Sequence, residues 1–410
     1  MTKEKNARSF RLTFLACVFG IAGQAVVSNI TAVLFVPFMH IYGFGIWQLG
    51  VLVGVNFFSQ LAADVILTVL IDKIAYRKMA IFAVSLTITG LLSFALIPLI
   101  PAVAASGKAV YAVMIGATVI FAFSSGMDEV LLTPIVDSIP DANSGALALM
   151  HSFYAWGQVI FVVLTSLFIV FAGENLWYVI VLLWISIPVA SLVLFIICPM
   201  AEKKEVAQTM GKTLFSPAML LAMLAIFTAG GSEVVMNQYV STMAQITLGF
   251  SKTVSDVAGM ALFAAMLGLG RTIYGVAGDR LDMSKFLIAT SLIAFVCYLG
   301  VGVIHVPAVQ LALCVICGFG TSMLWPGALV VASNRFPQAG AWVFAVLAIC
   351  GDLSGTIFPT VAGFVADKAG LDFMFAIFSA LPLVCCITNV ALAAGNKKSR
   401  RSSGSNLKEI

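Results

Sequence analysis

Residues 10–42 read FRLTFLACVFGIAGQAVVSNITAVLFVPFMHIY, an apolar run with one basic residue, Arg11, and no acidic residue. A helix of about twenty apolar residues crosses the hydrocarbon core of a bilayer, and this run is long enough to do so. It is longer than the apolar part of a secretory signal peptide, and no small-residue cleavage site is evident. We therefore interpret it as a retained first membrane span.

Eleven further apolar runs of similar length follow along the 410-residue chain. Hydrophobic residues make up 61% of the chain and charged residues 10%, whereas soluble domains are roughly 45–50% apolar and 25% charged. Because so little charge could not cover a surface in water, we predict an all-α, polytopic membrane protein. The twelve predicted spans are Phe10–Tyr42, Trp47–Ile71, Ala80–Val103, Ala109–Asp137, Gly145–Ala172, Leu176–Cys198, Pro217–Leu248, Val257–Ala277, Phe286–Val303, Ala308–Ala332, Ala341–Val365 and Phe373–Ala394.

The basic residues indicate which membrane side each connection faces. If both termini are cytoplasmic, Lys108, Lys252 and Lys368 are the only basic residues outside, and the other 19 of the 22 lie on the cytoplasmic side. Cytoplasmic connections of membrane proteins carry an excess of Lys and Arg. We therefore predict a multi-pass protein of the cell inner membrane with both termini in the cytoplasm. The net charge of +4 is too small to indicate binding to nucleic acid.

The second half of the chain partly repeats the first. At a shift of 196 positions, Phe123 and Met127 of span 4 match Phe319 and Met323 of span 10. Such repeats are typical of proteins in which two helical bundles rock about a site near the midplane. We therefore predict two pseudo-symmetric six-helix bundles. The predicted segments are bundles at 1–200 and 215–396, a cytoplasmic linker at 201–214 and a disordered basic tail at 397–410.

A glycine and charge motif follows span 8. It reads Gly275-Val276-Ala277-Gly278-Asp279-Arg280, with Arg271 just before it. This Gly-x-x-x-Asp-Arg pattern resembles the signature loop of the major facilitator superfamily. The connection after span 2 lacks the glycines but keeps similar charges. The resemblance implies that both loops latch the bundles together on the cytoplasmic side, although charges that only set topology are an alternative. The predicted gating residues are Asp72, Lys73, Arg77, Arg271, Asp279 and Arg280.

Five acidic residues lie in the interior of the predicted spans, whereas no Lys or Arg is expected deep in any span. Removal from water favours the neutral form of a carboxyl group, so such groups can carry protons or bind a cation. An ionisable group at the bilayer centre is also costly and calls for a role. We expect Asp64 to pair with nearby loop charges. The predicted proton-coupling residues are Glu129, Asp128, Glu233 and Asp352.

Polar residues recur at helical spacing in spans 1, 5 and 7, so each set shares one helix face. Resemblance to the superfamily implies that spans 1, 4, 7 and 10 line a central pathway. Polar stripes can also hold helices together, which is the alternative interpretation. The predicted substrate-binding residues are Gln24, Ser28, His151, Tyr154, Gln158, Asn237, Ser241 and Trp325.

Three short patterns resemble the fucose, galactose and glucose proton-symporter branch of the superfamily. They are Glu129 five residues before Pro134 in span 4, Gly231-Ser232-Glu233 in span 7, and Gly270-Arg271 closing span 8. The resemblance implies that Glu129 takes part in proton coupling. It also brings a departure, because symporters of that branch use a carboxylate in span 1 and this chain has none there.

The resulting hypothesis is a proton-coupled symporter, working by alternating access, for a small neutral polar solute such as a sugar. Alternatives are a proton-coupled antiporter of organic cations or drugs, or an amino-acid or nucleoside carrier. Span 5 lacks the proline-rich signature of drug antiporters. An enzyme is not expected, because no metal-ligand pattern, phosphate loop or nucleophile motif is present. We predict a monomer in the lipid bilayer whose partners are the solute and protons, without cofactor or metal.

Overall fold

The computed structural model describes residues 2–71, 73–140, 144–200, 216–277, 281–336 and 342–406. Within these ranges, twelve helices are long and apolar enough to cross a membrane. The predicted fold class, an all-α protein of twelve spans, is therefore confirmed. Spans 1 to 12 are Phe10–Tyr42, Ile46–Leu67, Tyr76–Ala95, Gly107–Asp137, Leu149–Ala172, Glu174–Ile197, Pro217–Thr247, Lys252–Tyr274, Met283–Val303, Pro307–Ala332, Val346–Ala369 and Leu371–Ala394.

Span 3 is shorter than predicted. Its helix ends at Ala95, whereas the apolar run continues to Val103. Pro98 and Pro101 follow, and each proline lacks the N–H that would continue the helical hydrogen bonding. The chain therefore passes through a short 3₁₀ turn and one further helical turn before span 4.

Span 1 begins and span 12 ends on the same side, because the described residues form an even number of spans. We call the side on which span 1 begins and span 12 ends the terminal side, and the other the distal side. Near the distal side of the first six spans, Phe38, Phe94 and Trp177 form a buried aromatic group with ring centroids 5.0–5.9 Å apart. This packing fixes spans 1, 3 and 6 against one another.

Span 2 packs closely against span 11, so the first six spans contact the last six along this line. Gly50 lies against Pro359 and Gly363, and Gly54 lies against Thr356 and Thr360. The Thr360 hydroxyl donates a hydrogen bond to the Gly50 carbonyl at 3.2 Å. A Cβ atom on Gly50 would lie 2.6 Å from the Pro359 carbonyl oxygen. We call this contact the seam, and glycine is required where the two backbones approach so closely.

The last helix runs from Ala380 to Asn406 and so continues past the end of span 12. The disorder expected for the basic tail at 397–410 stays a prediction. Residues 407–410 and the predicted linker at 201–214 lie outside the described residues, and the bundle boundaries stay a prediction.

Candidate functional site

Three carboxylates from distant parts of the chain come together between the halves. Asp64 of span 2, Glu129 of span 4 and Asp352 of span 11 each place one carboxylate oxygen within 4.8 Å of the other two. Asp64 and Asp352 are 5% and 3% exposed, and Glu129 is partly exposed. We call these three residues the carboxylate cluster. The sequence singled out each acid, but it gave no sign that they meet and assigned Asp64 to the loop charges.

Gln24 of span 1 connects the cluster to the polar face of that helix. Its side-chain amide donates to Glu129 Oε2 at 3.5 Å and to the Ser125 carbonyl at 3.4 Å. A predicted substrate-binding residue therefore contacts a predicted proton-coupling residue directly. Asp128, the neighbour of Glu129 in the chain, is buried but is not one of the carboxylates gathered in the cluster.

Glu233 has a cationic partner, contrary to the expectation for the acids within the spans. Arg271 Nη2 lies 3.2 Å from Glu233 Oε1, and Arg271 Nε donates to the Ser322 carbonyl at 3.0 Å. These contacts of Arg271 join spans 7, 8 and 10 within the second half, and its predicted role in gating stays a prediction. The long arginine side chain reaches inward from the end of its span, because a carboxylate removed from water is stabilised by a nearby cation.

Side-chain amides form a hydrogen-bonded chain between the halves. Gln158 of span 5 donates to Asn237 Oδ1 of span 7 at 2.8 Å, and Asn237 donates in turn to Asn29 Oδ1 of span 1 at 2.9 Å. The next residue on span 7, Gln238, donates to the Ser28 carbonyl at 3.1 Å. The polar faces predicted for spans 1, 5 and 7 therefore meet one another.

Three further predicted substrate-binding residues, on spans 5 and 10, are His151, Tyr154 and Trp325. His151 is exposed, with its Nε2 atom 3.1 Å from the Thr133 hydroxyl, and Tyr154 is partly exposed. Trp325 packs against Gly230 of span 7 and Gly351 of span 11, and a Cβ atom on Gly230 would lie 2.8 Å from its ring. Trp325 is also partly exposed, so the indole is packed by spans 7 and 11 on only part of its surface.

Ser241 belongs to a buried charge network near the distal side. It donates a hydrogen bond to Asp256, and Lys252 Nζ lies 2.6 Å from Asp256 Oδ2. The same ammonium group donates to the Val33 carbonyl of span 1 at 2.6 Å. We call Ser241, Lys252, Asp256 and the Val33 carbonyl the distal lock. Ser241 is 1% exposed, so its hydroxyl is used in this network and does not line an open surface.

The distal lock was missed because the prediction for span 8 began at Val257. The structure begins this span at Lys252 and places Asp256 in a π-helical segment, Ser255–Ala261. Such segments often occur at functional sites. The spacing of Lys252 and Asp256, four residues apart, was a signal for an ion pair on one helix face.

The predicted gating residues are only partly described. Arg77 donates to the carbonyls of Phe195, Ile196 and Cys198 at 2.8, 2.6 and 2.5 Å. These are unpaired carbonyls at the end of span 6, where a cation is favourable, so these contacts of Arg77 stay within the first half. Lys73 is exposed. Asp72, Asp279 and Arg280 lie outside the described residues.

Twelve spans that enclose polar and charged side chains between two halves are the architecture of a membrane transporter. The Major Facilitator Superfamily model matches residues 12–359, and a second, overlapping match covers residues 260–409. The chain therefore belongs to the major facilitator superfamily. It is a transporter and not an enzyme.

Solved structures share this fold. A bacterial homolog of the human lysosomal transporter Spinster, in an inward-facing and occupied conformation, has a TM-score of 0.72 at 12% identity, over 94% of this chain and 97% of that one. A variant of the nucleoside transporter NupG has a TM-score of 0.72 at 11% identity, over 94% of this chain and 99% of that one. No curated protein sequence matches significantly. At these identities the likeness concerns the fold alone, and the resemblance to the sugar-symporter branch stays a prediction.

Proposed function

We propose that the chain is a proton-coupled symporter of a small neutral polar solute such as a sugar. The contact between Gln24 and Glu129 carries this proposal. An amide donor favours an ionised carboxylate, so a solute hydroxyl that takes the Gln24 amide away makes the neutral Glu129 more favourable. Solute binding and proton binding would therefore assist each other.

The character of the surrounding groups supports an uncharged solute. Asn29, Gln158 and Asn237 offer amide donors and acceptors, which match the hydroxyl groups of a sugar. Arg271 and Lys252 are each already paired with a carboxylate. An anionic solute would have to displace one of these partners, whereas a neutral solute would not.

Contacts between the halves support alternating access. The distal lock involves the parts of spans 1, 7 and 8 that lie toward the distal side, and the seam joins spans 2 and 11 there as well. The amide chain joins spans 1, 5 and 7 near their middle. Glu129 lies closer to the terminal side and is partly exposed. In alternating access, these distal contacts must separate at one stage of the transport cycle and re-form at another.

A second candidate is a proton-coupled antiporter of organic cations. The carboxylate cluster favours it, because Asp64, Glu129 and Asp352 together provide negative charge for a positively charged substrate. Antiport moves protons in the direction opposite to the substrate, so the sign of the pH change separates this candidate from the symporter.

The test is the internal pH of proteoliposomes during addition of sugars, polyols, nucleosides, amino acids or organic cations. For the wild type we expect one class of neutral solute to acidify the interior. Glu129→Gln should abolish this acidification while solute exchange continues, because a permanently neutral side chain cannot carry a proton. Asp137→Asn, on the same helix but exposed at its end, is the matched control and should behave as wild type.

Two outcomes would contradict the proposal. Acidification that persists in Glu129→Gln would remove Glu129 from coupling. If no neutral solute changes the internal pH and an organic cation drives protons out of the vesicles, the protein is the antiporter instead.

A further inference from the structure

The carboxylate cluster lies where the seam ends. Spans 2 and 11 run in opposite directions along the seam, with Gly50 against Pro359, Gly54 against Thr356, and Phe57 against Gly355. Further along these two helices, toward the terminal side, Asp64 of the first half and Asp352 of the second half lie close together, and Glu129 of span 4 lies beside them. Like charges therefore meet at the end of a tightly packed contact.

Asp352 supplies an independent indication that a ligand belongs there. The residue is 3% exposed, and its Oδ2 atom has no hydrogen-bond partner among the described residues. An enclosed carboxylate oxygen without a partner is costly. A bound cation would satisfy such an oxygen.

The spacing of the three oxygens leaves room for a calcium ion. Three atoms whose mutual separations do not exceed 4.8 Å lie at most about 2.8 Å from a common centre, which admits the 2.3–2.6 Å of calcium–oxygen bonds. Mg²⁺ is usually held by only one or two carboxylates and several waters in a near-ideal octahedron, whereas three carboxylates converge here. The site is therefore suited to the larger ion.

Charge and access also favour a divalent ion. Three carboxylates carry up to three negative charges, which a divalent cation neutralises more completely than a monovalent one. Asp64 and Asp352 are buried, whereas Glu129 is partly exposed, so an ion can enter past Glu129. Oxygen-only ligands are those that hard cations prefer.

We propose that Asp64, Glu129 and Asp352 bind one divalent cation of calcium's size between the two halves of the transporter. The ion bridges two carboxylates of the first half to one of the second, so it stabilises the seam at its end. The sequence predicted no metal site, because ligands 65 and 223 positions apart in sequence form no recognisable motif. The inference concerns equilibrium binding and does not depend on the solute or on proton coupling.

The experiment is equilibrium binding of radioactive calcium to the purified full-length protein in detergent, at neutral pH and with excess Na⁺. We expect one saturable site per chain. Asp352→Asn and Asp64→Asn should each weaken binding about tenfold or more, since each removes a charged ligand. Asp137→Asn removes an exposed acid from the helix that carries Glu129 and should leave binding unchanged. Elution profile and thermal unfolding in chelator show whether each variant is folded.

The outcomes are distinct. No saturable calcium binding, or equal loss in Asp137→Asn and Asp352→Asn, would overturn the proposal. Displacement of calcium by Mg²⁺ at equal concentration would contradict the size argument, and displacement by the excess Na⁺ would contradict the divalent assignment. Calcium binding without solute-driven proton movement would preserve this site and refute only the proposed symport, whereas the reverse result would do the opposite.

Discussion

Arg271 changes the interpretation of the acids in the spans. Its guanidinium lies 3.2 Å from Glu233, and the two side chains are 33% and 21% exposed. Water therefore screens part of the attraction, and the net worth of such a pair is about 1 kcal/mol or less. Removing one member costs more than the pair is worth, because it leaves the other charge partly buried without a partner.

We therefore expect Arg271→Gln to be less stable than the double variant Arg271→Gln with Glu233→Gln. In the double variant both charges are gone and neither is left unpaired. The measurement is the thermal unfolding midpoint in detergent for the wild type, both single variants and the double variant. Lys285→Gln, which removes an exposed basic residue on span 9, should leave the midpoint unchanged. A double variant less stable than either single variant would contradict the argument.

The sequence showed which residues are candidates for the site, but it did not show which side chains contact one another. Every acid of the cluster was visible as a charge within an apolar run, and the polar stripe of span 1 led to Gln24. The Glu233 pairing was not visible, because a single sequence does not show which side chains meet across neighbouring helices. Asp256 was missed for another reason. Its charge made the residue look like part of a loop, although Lys252 neutralises it one helical turn away.

The spans themselves were predictable because the bilayer imposes their length and apolar character. All twelve were found, and span 1 had the predicted bounds. Ends shifted where local chemistry intervened, as at the prolines after span 3. Contact between particular spans was less accessible to prediction, since the small residues of the seam have no signature of their own in a chain with 34 glycines.

The seam leads to a prediction for span 2. A Cβ atom at Gly50 would lie 2.6 Å from the Pro359 carbonyl oxygen, and a backbone atom cannot rotate away. We expect Gly50→Ala to force spans 2 and 11 apart, even though alanine itself favours the helix by about 1 kcal/mol. The measurement is the distance between spin labels at Ser106 and His305, exposed distal positions on opposite halves, which should lengthen.

Gly116→Ala is the matched control for this variant. Gly116 also lies within a span, and a Cβ atom there would meet nothing within 4 Å. The control should therefore keep the wild-type distance and gain the same helical preference. A wild-type distance in Gly50→Ala would show that close packing at the seam does not hold the distal side closed.

The conformational state of the transporter depends on the contacts between its halves, and the sequence does not show which of these contacts form together. The seam and the distal lock join the halves toward the distal side. The amide chain joins them near the middle of the spans, and the carboxylate cluster joins them toward the terminal side. The internal repeat in the sequence indicated two bundles that move, but alternating states differ by only a few kcal/mol. No single-residue signal decides which state is the more stable. The distal contacts are therefore the features that a global test must weaken.

We expect replacement of Lys252 to change the conformational equilibrium of the transporter. Its ammonium donates to Val33 of the other half and neutralises Asp256, and the two charged side chains are 10% and 0% exposed. Breaking a buried pair from one side costs about 3–5 kcal/mol. We expect Lys252→Met to open the distal side, seen as a longer distance between labels at Ser106 and His305.

Two further variants distinguish the effect of losing the hydrogen bond from Lys252 to Val33 from the effect of leaving the Asp256 charge unpaired. Lys252→Met with Asp256→Asn removes the buried charge but also the bond to Val33, so the protein should regain stability while the distal side stays more open than in wild type. Asp256→Asn alone keeps the bond from Lys252 to Val33 and should open least. If Lys252→Met leaves the label distance unchanged, the lock does not govern the state. If the double variant closes fully, the unpaired Asp256 caused the opening, and the bond between the halves contributes nothing.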